Sequence, residues 1–532
     1  MKRTTVLWIT ALALGWLFDF LFWKHTPGIN FAIFAVLCLA GGFLVIGLNK
    51  VKFSWRSLLL LIPILFFAVM SFVRAEAMSV FLSVLFVLTL MGVLAAGFIG
   101  GRWLLYSLAD YITNISRLVA SLLARPIIFL SANRKQAEAE GLAPDALAVR
   151  RSGWKRVWAV MRGLLIALPI VAIFAALLSS ADLVFAQRLG DFVKLFRLEK
   201  LPEYMFRLIY ILVFGYALAG AILHAAQKSQ DEKLVGMEKP LIPQFLGFTE
   251  ATVVLGAVVM LFALFVFIQF QYFFGGQTNI GVEGYTFAEY ARRGFGELVA
   301  VAFFSLLLFL GLSGIVKRQN SAQRWTFSGL GIGMVALVGV MLYSAFQRLV
   351  LYEAAYGFTR LRAYTHVFMI WLGVLLAVVV VLDILRKERA FALAFLLASI
   401  GFAASLTIMN VDGFIVRNNI TRAVQGEELD AGYLATLSTD AVPGLVSALQ
   451  DESLSAGTHD TVGAALACWV SQSNRDPDTN WRSFTVTRLQ ADRALKQVQD
   501  VLDNYSIQDE DWPVQVETPL GVFHDCWSVN MD

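Results

Sequence analysis

The sequence contains a series of long stretches without charged residues, which fill its first 410 residues and then stop. Ten stretches lack Asp, Glu, Lys and Arg entirely, and an eleventh, Val6–Trp23, contains only Asp19. The ten are His25–Asn49, Ser57–Val73, Ala77–Gly101, Gly163–Ala181, Leu208–Gln227, Ala251–Val282, Leu298–Val316, Trp325–Gln347, Ala363–Leu382 and Ala390–Val411. A bilayer core about 30 Å thick is crossed by about 20 apolar residues, at 1.5 Å each. We therefore expect an all-α, polytopic helical membrane bundle of about eleven transmembrane helices.

Charge is distributed unevenly along the chain. Residues 411–532 carry 19 acidic and 7 basic side chains, whereas residues 1–410 carry 20 acidic and 36 basic ones. The formal charge of +4 therefore combines a basic membrane part with an acidic tail. We predict a transmembrane helical domain over residues 1–410, with a cytoplasmic loop at about 102–156, and a small acidic, soluble all-α domain over residues 411–532. This balance gives no support to a nucleic-acid partner.

Basic residues predict the orientation of the chain in the membrane. With the N-terminus in the cytoplasm, the loops on the cytoplasmic side hold 23 Lys and Arg residues and the opposite loops hold 12. Basic loops are preferentially retained in the cytoplasm during insertion. An odd number of spans then places the C-terminal domain outside the cytoplasm, and we expect a protein of the bacterial cytoplasmic (inner) membrane.

Two amphipathic stretches bear on the number of spans. Residues 102–130 place apolar side chains such as Leu104 on one side of a helix and polar ones such as Asp110 on the other. We expect this helix to lie in the membrane interface rather than to cross the bilayer. Asp182–Arg197 is predicted to lie on the outer interface, with an ordinary loop helix packed on the bundle as the alternative. One miscounted span would reverse the side of the tail.

The most distinctive polar residues converge on the predicted outer side. We name them the outer-rim cluster: Arg292, Arg293, Arg348, Glu353, Arg360, Arg362 and His366. Arg362 and His366 are four residues apart and share one helix face. Because guanidinium groups favour planar anions, the cluster predicts a site for an anionic ligand or a lipid headgroup. The alternative is a set of salt bridges that tie adjacent helices together.

The three cysteines divide between the two predicted domains. Cys38 lies in a predicted span, and Cys468 and Cys526 lie in the tail. A tail outside the cytoplasm permits a disulfide between the latter two. The alternatives are unpaired cysteines and a metal site with His459 and His524, although the spacing fits no usual zinc pattern.

Several motifs along the chain resemble a known family. They are Gly15-Trp-Leu-Phe-Asp-Phe-Leu-Phe, Pro27-Gly-Ile-Asn-Phe31, Gln271-Tyr-Phe-Phe-Gly-Gly276, Tyr285-Thr-Phe-Ala-Glu-Tyr-Ala-Arg-Arg-Gly-Phe295, Tyr356-Gly-Phe-Thr-Arg-Leu-Arg362, Asn410-Val-Asp-Gly-Phe, Tyr433-Leu and Asp440-Ala-Val-Pro443. Together they resemble the bacterial membrane family catalogued as domain of unknown function (DUF) 4173. The resemblance implies an integral membrane protein of multiple helices. It implies no activity, substrate or catalytic residue.

The sequence contains no recognisable catalytic or metal-binding pattern. It lacks Gly-x-Ser-x-Gly and His-Glu-x-x-His, and its five histidines have no catalytic spacing. We expect no catalytic residue, metal or cofactor, and enzymatic activity stays open with the balance against it.

We therefore expect a non-enzymatic membrane scaffold or sensor. Its predicted partners are the lipid bilayer and an extracytoplasmic protein or anionic ligand. The alternative function is a membrane transporter or channel for a small solute or ion, with Glu250, Gln269, Gln271 and His366 lining its route.

Overall fold

The computed structural model describes residues 4–139, 201–229, 234, 244–274, 295–474, 480–508 and 514–526, and isolated residues between 162 and 188. The helices of these segments are, in chain order, α1 (Thr4–Phe22), α2 (Ile29–Leu48), α3 (Trp55–Leu58), α4 (Leu61–Val73), α5 (Ala77–Ala96), α6 (Leu108–Ala139), α7 (Leu201–Gln227), α8 (Phe248–Phe274), α9 (Phe295–Ile315), α10 (Ser321–Tyr356), α11 (Arg360–Ile384), α12 (Phe391–Met409), α13 (Val411–Val424), α14 (Ala431–Ala435), α15 (Val442–Leu449), α16 (Ala456–Asn474), α17 (Val486–Leu495) and α18 (Gln499–Leu502). Short 3₁₀ helices are formed by Trp103–Leu105, Glu388–Ala390 and Trp481–Ser483. The strands are β1 (Ser506–Gln508), β2 (Gln515–Glu517) and β3 (Phe523–Asp525).

The predicted all-α polytopic class is confirmed. Within the described segments, eleven helices are long and apolar enough to cross a membrane, with α3 and α4 counted together as Trp55–Val73. Ten of them coincide with predicted spans. The eleventh is Leu108–Ala132 of α6, for which an interfacial position was predicted. The predicted span Gly163–Ala181 and the predicted amphipathic stretch Asp182–Arg197 fall where only isolated residues are described.

The chain forms two compact units. The smaller unit comprises Met1–Trp23, Ala40–Val51 and Arg117–Gln227, and the larger unit comprises Lys24–Leu39, Lys52–Ser116 and Lys228–Asp532. The larger unit therefore contains the tail together with α4, α5 and α8–α12.

A buried ion pair joins α1 to α7 in the smaller unit. Asp19, the one acid in the first span, is 2% exposed and accepts hydrogen bonds from Arg207 Nε at 3.0 and 3.1 Å and from Nη2 at 2.6 Å. The two helices approach closely beside this pair, since a Cβ atom on Gly15 would lie 2.5 Å from the carbonyl oxygen of Ile211. A carboxylate at this depth is tolerated because it is paired, and because small residues let the helix backbones meet.

Helix α6 packs against α7 within the smaller unit. His224 Nδ1 lies 2.8 Å from Ser121 Oγ, and the hydroxyl of Tyr216 donates to the carbonyl oxygen of Leu123. These contacts fall between Tyr216 and His224 of α7, a rise of about 12 Å along that helix. Leu108–Ala132 of α6 is long and apolar enough to cross a membrane, so the interfacial position of residues 102–130 stays a prediction.

Helix α10 is the centre of the larger unit. At 36 residues it is about 54 Å long, well beyond the thickness of the hydrocarbon core. Its residues Phe327, Met334 and Met341 are almost completely buried in a core shared with α8, α9, α11 and α12. Its last two turns therefore extend past the core towards the tail.

The tail combines helices with a small sheet. Helices α13–α18 are followed by a three-stranded antiparallel sheet in the order β1-β2-β3, with Ile507 opposite Val516 and Val516 opposite His524. A disulfide joins Cys468 of α16 to Cys526, with their Cα atoms 5.2 Å apart. Sequence analysis predicted the helices and not the sheet, because strands of three residues are too short to show an alternating pattern.

We predict that adding one methyl group at Gly220 separates α6 from α7. A Cβ atom there would lie 2.6 Å from the carbonyl oxygen of Leu122, so Gly220→Ala should lower the free energy of unfolding by about 1–3 kcal/mol. The matched control is Gly42→Ala, because a Cβ atom on Gly42 of α2 meets nothing within 4 Å. Thermal melting of the detergent-solubilised protein measures both, and equal melting temperatures would contradict the close crossing.

Candidate functional site

A buried ion pair connects α11 to the beginning of the tail. Arg360 is the first residue of α11, and its Nε and Nη2 atoms donate to the two carboxylate oxygens of Asp412 at 2.8 and 2.6 Å. Nη2 also contacts the carbonyl oxygen of Thr436 at 3.3 Å. Asp412 is completely buried. Such a two-point contact fixes both the distance and the angle between the two helices.

Ser438 links Asp412 to a second buried carboxylate. Its backbone N–H donates to Asp412 at 2.7 Å, and its hydroxyl donates to Asp440 at 3.2 Å. Asp440 also accepts the backbone N–H groups of Ala75 and Glu76 at 2.7 and 2.9 Å. Burial raises the pKa of the Asp440 carboxyl, and these N–H groups favour its ionised form. The tail is thus hydrogen-bonded to the connection between α4 and α5.

The connection between α4 and α5 is fixed by two further charged side chains. Arg74 lies with Nη1 3.5 Å from Asp440 and donates from Nε to the carbonyl oxygen of Thr407 at 2.7 Å. Glu76 caps α5 by accepting the backbone N–H groups of Met78 and Ser79 at 2.7 and 2.8 Å. The hydroxyl of Tyr364 on α11 donates to the same carboxylate at 2.5 Å. We call the resulting set the tail-anchoring network: Arg74, Glu76, Arg360, Tyr364, Asp412, Ser438 and Asp440.

Tyr433 adds an uncharged contact to this network. Its hydroxyl oxygen accepts the backbone N–H of Arg360 at 2.9 Å. Burial raises the pKa of Tyr433 to about 12, so its hydroxyl stays protonated at neutral pH. The first turn of α11 is therefore held by the tail through both its backbone and its side chain.

The described members of the outer-rim cluster bind groups of the protein itself. Arg360 belongs to the tail-anchoring network. Arg362 donates to the carbonyl oxygens of Tyr356 and Gly357, and its guanidinium lies 4.3 Å from the ring centroid of Tyr352. These contacts correspond to the alternative in which the arginines tie adjacent segments together.

The other predicted cluster residues are distributed as follows. Glu353 is buried with Oε1 3.3 Å from Nδ1 of His366, which joins α10 to α11. Arg348 is half-buried, five residues before Glu353 on α10. Arg292 and Arg293 lie outside the described residues.

No single pattern in the sequence indicated Glu76 and Asp440, the two carboxylates that hold α5 and the tail together. Glu76 lies in a three-residue connection between two spans, Arg74-Ala75-Glu76, where charged residues are expected and attract no attention. Asp440 is part of the motif Asp440-Ala-Val-Pro443, which by itself indicates no partner. Two features together would have indicated both residues. One is the very short charged connection between two spans, and the other is the acidic residue near the start of a tail helix.

A cleft of about 530 Å³ adjoins the tail-anchoring network. Val80, Phe81 and Val84 of α5 form one wall, and Thr439 and Thr485 of the tail contribute to the other. The cleft thus has an apolar side on a membrane helix and a polar side on the tail.

In the described part of the chain, no three His, Cys, Asp or Glu side chains are placed to hold a metal ion. Cys468 and Cys526 bind each other, and Cys38 is a free cysteine in α2. The geometry therefore offers ion pairing and docking, and the described residues contain no arrangement that suggests a reaction.

The sequence matches a known protein family. The family model described as Domain of unknown function (DUF4153) matches residues 61–448, which is well over half of the 532 residues. The chain belongs to the DUF4153 family. The motif resemblance was therefore right in indicating a membrane family of unknown function and wrong in its number, 4173. The matched range of DUF4153 runs from α4 to α15 and includes all seven residues of the tail-anchoring network. No curated protein matches the chain, and no solved structure matches it.

We predict that Arg360→Ala weakens the docking of the tail in this DUF4153 protein. The substitution leaves Asp412 buried without its counter-charge, which typically costs about 3–5 kcal/mol. Limited proteolysis should then cut the tail faster, and the melting temperature should fall. The control is Arg417→Ala on α13, since Arg417 is exposed and its side chain has no ion pair or hydrogen bond in the described part. Equal sensitivity of the two variants would argue against the network.

A thiol count tests the disulfide of the tail. Under denaturing, non-reducing conditions a maleimide-polyethylene glycol reagent should add once, at Cys38, and after reduction it should add three times. Reduction should also destabilise the tail by about 2–4 kcal/mol, because the bond closes a long loop. Three additions without a reductant would exclude the bond.

Proposed function

We propose that this DUF4153 protein is a non-enzymatic scaffold or sensor of the bacterial cytoplasmic membrane, with a cytoplasmic N-terminus and an extracytoplasmic tail. The observation that carries the proposal is the tail-anchoring network, in which Asp412 and Asp440 of the tail bind Arg360, Arg74 and the start of α5. Membership of the family supports an integral membrane protein. The tail-anchoring network supports a tail that is fixed to the membrane helices.

Buried charges favour a docking role because they are specific rather than strongly stabilising. Removing carboxylates from water costs free energy that is recovered only when every donor is in place. An apolar contact would tolerate several arrangements of the tail. The paired carboxylates permit one arrangement, so a ligand or partner that displaces the tail must also disturb α5 and α11. This is the physical link that a sensor requires.

The proposed orientation is supported by the loops of the larger unit. Among the described residues, five basic ones lie in or beside the connections at the end occupied by the tail: Lys24, Arg74, Arg348, Arg360 and Arg362. Ten described basic residues lie in or beside the connections at the other end: Lys52, Arg56, Arg102, Lys228, Lys317, Arg318, Arg324, Arg386, Lys387 and Arg389. The more basic end is expected in the cytoplasm. The disulfide of the tail agrees, because such bonds persist in oxidising compartments.

The transporter alternative gains no support from the residues predicted to line its route. Glu250 accepts the backbone N–H of Gly247 at 2.8 Å and so serves the start of α8. His366 lies beside Glu353. The side chain of Gln271 is outside the described residues, and Gln269 belongs to a different helix from His366. Glu250 and His366 thus have local contacts in separate places.

Cysteine labelling tests the orientation. In a Cys38→Ser background, a membrane-impermeant maleimide should label Glu452→Cys in intact spheroplasts, because this position is exposed on the tail. The matched variant Lys52→Cys, exposed at the opposite end, should be labelled only after permeabilisation. The reverse pattern would place the tail in the cytoplasm and end this part of the proposal.

Photo-crosslinking in cells tests the scaffold role. A crosslinking amino acid at the exposed position Leu489 of α17 should give a discrete adduct with one protein or lipid class. Arg360→Ala should abolish the adduct and Arg417→Ala should retain it, because only the former releases the tail. Proteoliposomes containing the full chain should show no solute flux above empty vesicles. Flux without any adduct would favour the transporter.

A further inference from the structure

A polar cavity lies at the end of the larger unit opposite the tail-anchoring network. It has a volume of about 200 Å³ and is bordered by the connection before α10, the first turns of α10 and the end of α11. We call it the arginine pocket, after Arg318, Arg324 and Arg386, which line it together with Gln244, Trp325 and Asp383. Arg360 and Asp383 lie near opposite ends of α11, about 35 Å apart along the helix.

Among the described residues, the arginine pocket has more arginines than acids. Asp383, its one acid, is already bound by Arg318 Nη1 at 3.0 Å and by the hydroxyl of Ser328. Arg318 is further held by the carbonyl oxygen of Ser313 at 3.0 Å. The guanidinium groups of Arg324 and Arg386 have no ion pair and no hydrogen bond within the described part of the chain. Two arginine charges therefore line the cavity without a counter-charge from the described side chains.

The surroundings place this charge at the level of lipid headgroups. Trp325 is 66% exposed in the first turn and a half of α10, and Ile384 and Leu385 are exposed at the end of α11. Exposed apolar side chains at the end of a membrane helix contact lipid, and Trp prefers the interface between hydrocarbon and water. A ligand in the pocket can thus reach the arginines and the bilayer together.

We propose that the arginine pocket binds the phosphate-bearing headgroup of an anionic phospholipid in the leaflet at this end of the bundle. Arginine forks match phosphate oxygens in geometry as well as in charge. Asp383 has its charge neutralised by Arg318, so it does not repel the anion. Soluble phosphate shares the same chemistry, but the exposed wall of Trp325 and Ile384 favours a molecule that also carries acyl chains. The proposal does not depend on the function proposed for the tail.

Native mass spectrometry of the full chain in detergent tests this proposal with phosphatidylglycerol against phosphatidylcholine of the same acyl chains. The test variant is Arg324→Gln with Arg386→Asn; asparagine is chosen because Arg386 has a φ of 57°, which asparagine tolerates. Loss of two arginines should reduce the preference for phosphatidylglycerol roughly 30-fold, at about 1 kcal/mol for each. The matched control is Lys52→Gln with Arg56→Gln, exposed at the same end and outside the pocket, and it should keep the preference.

Three outcomes would overturn the lipid site. An unchanged preference in the test variant would exclude the pocket, and an equal loss in the control variant would indicate general surface charge. Displacement of phosphatidylglycerol by millimolar inorganic phosphate would indicate a soluble anion instead. If the double variant unfolds, as shown by its melting temperature, the single variants Arg324→Gln and Arg386→Asn replace it, and each should lose part of the preference. Retention of the full preference by both single variants would also exclude the site.

Discussion

The pairing of buried carboxylates is the interaction on which this structure most depends. Five of its buried acids are each paired with an arginine: Asp19, Asp110, Asp383, Asp412 and Asp440. An isolated carboxylate in a medium without water is too costly to remain charged, whereas a paired one determines which helices are neighbours. Apolar helices gain little by choosing one apolar neighbour over another in lipid. The ion pairs therefore supply the specificity that hydrophobic burial supplies in a soluble protein.

The same physical rule has different consequences at the two ends of the larger unit. At the tail end, every charged member of the tail-anchoring network has a partner within the protein, which leaves the tail fixed. At the other end, Asp383 pairs with Arg318, and in the described part of the chain Arg324 and Arg386 have no such partner, which is the basis of the proposed anion site. Charges that are paired within the protein favour a permanent contact, whereas charges without an internal partner favour a binding site.

Hydropathy in the sequence predicted the membrane helices because it needs only local information. Ten predicted spans coincide with helices that are long and apolar enough to cross a membrane. Ion-pair partners cannot be predicted from local sequence in the same way. Asp19 and Arg207 are 188 residues apart, and no local pattern connects them. The sequence likewise pointed to Arg360 as unusual, but its partner Asp412 and the role of Glu76 required the fold.

The contact between Asp440 and Ala75 has a consequence for biosynthesis. These residues are 365 positions apart, so the amide groups that receive the tail are made long before the tail leaves the ribosome. The turn between α4 and α5 and the first turn of α11 must wait, incompletely satisfied, until translation is nearly finished. A truncated chain therefore exposes these unpaired N–H and guanidinium donors, even when all of its apolar helices have been inserted correctly.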